Sequence, residues 1–138
     1  EEVKVIAKEV DIILDCSDNF ETRYELNKIA YDLKLPLVSG AAIKFDGQVS
    51  VFDFRAKTSP CYNCLFPSAD KEQNLKCSDH GVFSPLVGLV GSIQAGEAIK
   101  VLLNIGTSLT GKLLLINHKD TNFKTLKIQK DNLCDICS

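Results

Sequence analysis

Four of the six cysteines fall into two C-x-x-C pairs, Cys61-Tyr62-Asn63-Cys64 and Cys134-Asp135-Ile136-Cys137. Two such pairs supply four thiolates, the donor set that tetrahedral structural zinc prefers. The pairs are much farther apart than in a zinc ribbon, so a shared metal would clip two distant parts of the chain together. A closed four-sulfur site keeps no open coordination position, which gives the metal a structural role and no catalytic one. The competing reading is one redox-active C-x-x-C with the other pair incidental, or four free thiols. No basic leader precedes an apolar stretch, so the expected location is cytoplasmic, where metal or thiol chemistry is favoured over a disulfide framework.

A second group with chemistry is Asp15-Cys16-Ser17-Asp18-Asn19, at the end of the apolar run Asp11 to Cys16. Open α/β sheets bind their ligands at the carboxyl ends of such strands. A carboxylate there can hold Mg²⁺ against nucleotide phosphates, and a neighbouring amide can fix the nucleotide's polar groups. On local sequence alone Asp18 or Asn19 reads first as a helix cap, and Cys16 as a small buried hydrophobe. Cys77, in Lys76-Cys77-Ser78-Asp79-His80-Gly81, is either a thiolate activated by a nearby imidazole or ammonium or an ordinary loop thiol. His118 lies in a polar turn and reads as solvated. Neither G-x-x-x-x-G-K-[ST] nor G-x-G-x-x-G is present.

The elements that must position these groups follow from periodicity. Val3, Ile6, Ala7 and Val10 are spaced as one helix face. The run Asp11 to Cys16 predicts a strand buried on both faces, and Phe20 to Leu33 a helix broken by Leu35-Pro36. Leu37 to Ala42 predicts the next strand, completing a βαβ unit. Asp46-Gly47 then predicts the tight turn of a hairpin continuing through Gln48 to Phe54. Residues 55–84 are polar and irregular, too long for an ordinary loop, so something must hold them. Pro85 opens a long, largely buried helix to Asn104, on which Gly88, Gly91, Ser92 and Ala95 share one face and predict close approach to a neighbour. Leu113 to Asn117 and Asn122 to Ile128 predict a last antiparallel pair.

Composition narrows the classes. With 138 residues the chain suits one domain, and 45% hydrophobic and 25% charged residues are ordinary for a globular protein. Sixteen Lys and Arg against eighteen Asp and Glu leave a net charge of −2, which argues against a broad nucleic-acid footprint. No run reads as a membrane span. The chain has no Met and opens in the middle of an element, so residue 1 is expected to lie inside a longer gene product.

Taken in order, these pieces resemble the ThiF/MoeB/HesA family, the prokaryotic relatives of ubiquitin-activating enzymes. The resemblance rests on Leu14 to Asn19 with Arg23, Pro36 to Ala42, Asp46-Gly47-Gln48 and Pro60 to Leu65. It continues through Gly81-Val82, Pro85, Gly88, Gly91, Gln94, Glu97, Ala98, Lys100 and the final C-x-x-C. It implies an α/β fold, the C-terminal part of a Rossmann-like nucleotide-binding domain with a βαβ unit, antiparallel strands and a four-cysteine zinc clip. It also implies a homodimeric enzyme that uses ATP and Mg²⁺ to adenylylate the C-terminal glycine of a ubiquitin-like sulfur carrier ending in Gly-Gly. In that reading Asp18 coordinates Mg²⁺, Asn19 contacts the nucleotide, and Cys61, Cys64, Cys134 and Cys137 hold zinc. Cys77 takes the place of a thiol that can join the carrier covalently, in a stretch that commonly crosses over the carrier's tail. His80 departs from the small residue expected before Gly81-Val82. The family's glycine-rich loop, ribose-binding acid and phosphate-binding Arg and Lys have no counterpart here. Residues 1–138 therefore read as the C-terminal portion of one activating-enzyme domain, inactive alone. Two rivals stay open: a non-catalytic zinc-stabilised protein-binding module and a thiol-disulfide redox protein.

Overall fold

The computed structural model of the chain describes residues 2–67 and 80–138. In order these form helix α1 (Glu2–Ala7), strand β1 (Ile13–Asp15), helix α2 (Phe20–Leu33), and strands β2 (Pro36–Ile43) and β3 (Asp46–Asp53). A short helix α3 (Tyr62–Leu65) follows, then helix α4 (Ser84–Leu103) and strands β4 (Lys112–Asn117) and β5 (Asn122–Lys127). The strands make one sheet in the order β1-β2-β3-β4-β5. β1 and β2 run parallel through the α2 crossover, and every later pair is antiparallel. This is the α/β architecture with a βαβ unit and antiparallel strands that the sequence predicts.

Local chemistry explains the helix ends. The Asn19 side chain accepts the Thr22 amide at 2.9 Å, capping α2. At the other end Lys34 turns left-handed (φ 57°), and Pro36 begins the next strand. On one sheet face Val38, Val49, Val51 and Ile116 pack against Leu86, Val90, Ala98 and Val101 of α4. On the other, Leu37, Phe52, Phe54 and Leu113 pack against Ala30 of α2, Tyr62 and the cysteine cluster. α4 is long and apolar enough to cross a membrane by length and composition alone. It nevertheless lies along β2 and β3 with Glu97 buried, and that carboxylate accepts the Leu109 amide at 2.6 Å.

Four expectations shift. β1 has only three residues and leaves Leu14 40% exposed, so one of its faces is open among the described residues. Cys16 is exposed rather than buried, its thiol 3.6 Å from Gln94 Oε1. The hairpin turns at Lys44-Phe45, with Ile43 opposite Asp46 and Lys44 at φ 52°. Gly47 lies within β3 because a Cβ there would meet Leu86 Cδ1 and Val90 Cγ2 at 2.9 Å. On α4, nothing described lies within 4 Å of where a Cβ would stand at Gly88 or Gly91. The face that makes close contact carries Leu86, Val90, Gln94, Glu97, Ala98 and Val101.

Where β1, α2, β2 and α4 meet, the core is polar. Asp15 is 1% and Arg23 6% exposed, and their charges pair at 3.2 Å. Asp15 Oδ1 accepts the Ser17 amide at 2.9 Å and the Ser17 hydroxyl at 2.6 Å. Arg23 also donates to the Gly40 carbonyl at 2.9 Å, to Ser39 Oγ at 3.4 Å and to the Ser17 carbonyl. Gln94 Nε2 reaches from α4 to the carbonyls of Asp15 (2.9 Å) and Val38 (3.3 Å). Gly40 leaves room for it, since a Cβ there would lie 2.2 Å from the Gln94 carboxamide. Removing one member of a buried ion pair strands the other charge, at a cost of about 3–5 kcal/mol. Arg23→Met is therefore expected to lower unfolding free energy by that amount in chemical denaturation. A loss below about 1 kcal/mol would show that the pair is not what holds this junction.

Candidate functional site

The junction just described presents its outer residues to a cavity of about 250 Å³. Asp18 and Asn19, between the end of β1 and the start of α2, form one rim, and Arg23 and Tyr62 lie on the walls. Ala41, Ala42 and Gly47 on β2 and β3 offer short side chains or none, and Gln48 and Leu115 close the far side. Asp18 is exposed, its Oδ1 contacted by Asn19 Nδ2 at 3.4 Å. Asn19 has two roles at once, because its Oδ1 caps α2 while the residue lines the cavity. The first amides of α2 open beside Asp18, where a helix N-terminus favours anionic groups. A carboxylate with no partner but Asn19 among the described residues, beside a cavity and a helix N-terminus, suits a divalent cation bridging to phosphates.

The four zinc-type cysteines converge, as their spacing predicts. Cys61 and Cys64 flank the turn of α3, and Cys134 and Cys137 come from the C-terminal segment after β5. Their sulfurs all lie within 4.8 Å of one another. Cys61 and Cys134 are 3.6 Å apart, Cys64 and Cys137 3.4 Å, and Cys61 and Cys64 3.9 Å. Tetrahedral zinc with Zn–S near 2.3 Å places its sulfurs about 3.8 Å apart, so the donor set and its spacing fit the ion. Surrounding amides point the same way: Asn63 Nδ2 donates to Cys134 Sγ and the Asp131 amide to Cys64 Sγ, each at 3.4 Å. The Asn27 carboxamide accepts the Tyr62 amide at 2.9 Å, and its buried Nδ2 has no partner of good geometry among the described residues. It sits beside Cys61, where a thiolate would take it up.

Burial pushes the Cys61 thiol up to about 12 against the Cys64 amide and the Asn27 carboxamide, which favour its thiolate. Burial also drives Cys137 up, and the Cys64 and Cys61 thiols add to the effect. At Cys134 burial again opposes ionisation, but the Asn63 carboxamide and the amides of Ile136 and Cys137 outweigh it and bring the thiol down to about 6. Without metal, then, Cys61 and Cys137 are protonated at neutral pH and zinc must displace those protons.

Cys77 lies outside the described residues. The sequence grouped Asp15 with Asp18 without foreseeing its burial against Arg23, and it quoted Gln94 and Gln48 in the resemblance without giving either a role. Arg23 and Asn27 carried a signal, as polar residues four apart on the inward stripe of α2 with Ala30. Gln48 carried no local signal beyond its place in the Asp46-Gly47-Gln48 run, because its surroundings come from three strands.

Protein purified without added zinc is expected to hold about one zinc per chain. Because at least two thiols must lose protons, apparent zinc affinity should fall about a hundredfold per pH unit on acidification from neutral pH. Competition with a chromophoric chelator reads that slope, and a flat profile would contradict a thiolate site.

The ThiF family pattern matches residues 1–136. The molybdopterin-synthase adenylyltransferase of Escherichia coli is 39% identical over 136 residues, covering 99% of this chain and 54% of that protein. The sulfur carrier protein adenylyltransferase of Thermus thermophilus is 43% identical over 136 residues, covering 96% and 50%. The adenylyltransferase and sulfurtransferase MOCS3 of Caenorhabditis briggsae is 42% identical over 134 residues, covering 96% and 33%. The chain thus spans between 29% and 54% of the length of the curated relatives it matches. Among solved structures, Escherichia coli MccB with ATP superimposes with a TM-score of 0.74 over 98% of this chain and 42% of that one, at 15% identity. That likeness shows a shared fold. With the family pattern running almost end to end, the chain belongs to the ThiF family.

Proposed function

We propose that this chain is the part of an ATP-dependent adenylyltransferase that holds the metal-binding carboxylate, the floor of the acyl-substrate groove and a structural zinc clip. The observation that carries this reading is the placement of Asp18 and Asn19 at the carboxyl end of β1, on the rim of a cavity floored by Ala41, Ala42 and Gly47. The substrate is the C-terminal glycine of a ubiquitin-like sulfur carrier ending in Gly-Gly, in molybdopterin, thiamin or related sulfur transfer. The named activities of the relatives support that class.

In the reaction a carboxylate oxygen of the terminal glycine attacks the α-phosphorus of ATP. The new O–P bond forms as the bond to the α,β-bridging oxygen breaks, and pyrophosphate leaves. An anion approaching a polyanion is the barrier, and Mg²⁺ supplies the neutralising charge when bound. Asp18 would hold that ion, while Asn19 would orient the nucleotide and the α2 N-terminus would favour negative charge. The narrow floor would admit an extended backbone without side chains. Cys77 is assigned, on the family resemblance alone, as a thiol that can take up the activated carrier. The working assembly is a homodimer in the cytoplasm, with the nucleotide loop supplied by sequence outside these 138 residues.

Two rival readings predict other outcomes. A thiol-disulfide protein would pair sulfurs within each C-x-x-C, whereas the Cys61–Cys134 and Cys64–Cys137 sulfurs, across the pairs, lie closer than those of Cys61 and Cys64. A non-catalytic binding module would be indifferent to Asp18.

The test is carrier-dependent ATP–pyrophosphate exchange by the full-length protein. Asp18→Asn should lower exchange by about 10²–10³-fold, the usual effect of losing one electrostatic stabiliser at a transferring group. Its melting temperature should be unchanged, since the Asp18 side chain is exposed and holds no part of the core. Exchange undiminished in that variant would favour the binding module.

A further inference from the structure

Polar groups along the cavity face of the sheet divide into two kinds. Most are satisfied within the chain: Arg23 is held by Asp15 and Gly40, Ser39 accepts from Arg23, and Ser50 donates to the Lys112 carbonyl at 2.7 Å. Gln48 is different. It stands in β3, opposite Ala41 on β2 and Leu115 on β4, and is half-buried. Its carboxamide makes no hydrogen bond among the described residues, yet the residue lines the same cavity as Asp18 and Asn19. On its inner side, toward Ser39, Ser50 and Phe52, only about 10 Å³ is open, the lower limit for a single water. The space available to the carboxamide is therefore the cavity itself. A carboxamide offers two donors and an acceptor oxygen, and leaving them partly desolvated and unpaired is unfavourable.

The shape of the groove says what could pair with it. A second open cavity of about 320 Å³ shares Asp46, Gly47 and Leu115 with the first and continues across β4 to Asn122 and Lys124 on β5. The groove thus crosses the strands instead of following one. A segment lying in it cannot extend the ladder, because β3 is already paired on both sides. Its peptide groups need side-chain partners, and Gln48 presents one over a floor of Ala41, Ala42 and Gly47.

We infer that Gln48 positions the acyl substrate: its carboxamide hydrogen-bonds a peptide group of the extended, glycine-ended segment whose carboxylate is adenylylated. Nε2 donates to a carbonyl of that segment and Oε1 accepts from an amide N–H. This rests on the adenylyltransferase reading above.

The test uses the full-length protein, ATP and a carrier ending in Gly-Gly, with ATP–pyrophosphate exchange as the readout. Gln48→Met keeps length and apolar bulk but cannot form these bonds. It should raise KM for the carrier about tenfold, with KM for ATP and the melting temperature unchanged. Carriers with sarcosine at the last or the penultimate position lack one tail N–H. One of them should lose about tenfold with the wild type and lose nothing further with Gln48→Met. Should Gln48→Met fail to fold, Gln48→Glu, which removes the donors and keeps the shape, is expected to raise the carrier KM likewise. An unchanged carrier KM, fully additive effects, or a parallel rise in KM for ATP with a fall in melting temperature would overturn the assignment. Absence of exchange in the wild type would overturn the activity reading and this one with it, whereas normal exchange with an indifferent Gln48 would overturn this one alone.

Discussion

The buried pair of Asp15 and Arg23 is the constraint around which the rest of this chain is arranged. Two charges out of water are tolerated only where every remaining donor and acceptor is answered. Here the answers come from four elements: Ser17 after β1, Arg23 on α2, Ser39 and Gly40 on β2, with Gln94 of α4 tying the Asp15 backbone to Val38. A shift of any one of these by a residue would leave a charge or a carbonyl unpaired. The network therefore sets the register of β1 on β2 and the approach of α4 more tightly than apolar packing alone would. It also fixes where β1 ends and α2 begins, which is where Asp18 and Asn19 stand.

The cysteine cluster performs the same task at the other end of the sheet with different chemistry. The segment between β3 and α3 has little regular structure, and the chain after β5 has none. Each adds buried residues to the core (Phe54 and Cys61, Ile128, Cys134 and Cys137), and the four sulfurs bring the two segments together. The two devices are linked through α2. Arg23 on its inward stripe reaches the ion pair, and Asn27, one turn later, holds the Tyr62 amide beside Cys61. Tyr62 in turn packs edge-on against Tyr24 and Phe52 and lines the cavity. A metal held by the four sulfurs would therefore brace that cavity wall as well as the C-terminus.

How far the sequence could be read depended on whether a signal was local. The residues of α2 and β2 emerged nearly to their ends because Asn19 caps, Lys34 turns and Pro36 breaks within a few positions of each other. The convergence of the four cysteines was legible because C-x-x-C spacing encodes a coordination-type donor set without reference to the fold. Asp46-Gly47 misled for an instructive reason. A glycine after an acid signals a turn, but this glycine is required by Leu86 and Val90 of a helix some forty residues away, and Lys44 takes the left-handed position. The glycine face of α4 misled in the opposite sense, since it borders nothing among the described residues. The ion pair and Gln48 were illegible locally, as each acquires its meaning from residues on three or more elements.

That contrast separates two kinds of polar group, those satisfied inside the fold and those that face a cavity. Asp15 and Asp18 are three residues apart and chemically identical, yet one is enclosed by Arg23 and Ser17 and the other faces a cavity with Asn19 as its one hydrogen-bond partner among the described residues. Gln94 and Gln48 repeat the distinction for carboxamides, the first bonded to two carbonyls and fully buried, the second half-buried and without a hydrogen bond among the described residues. A fold tolerates an unsatisfied polar group at a cost, so such groups persist where something else supplies the partner. In this chain the unanswered carboxylate and the unanswered carboxamide border one cavity. One suits a cation and the other a peptide group, the two kinds of ligand that the proposed adenylylation would bring together.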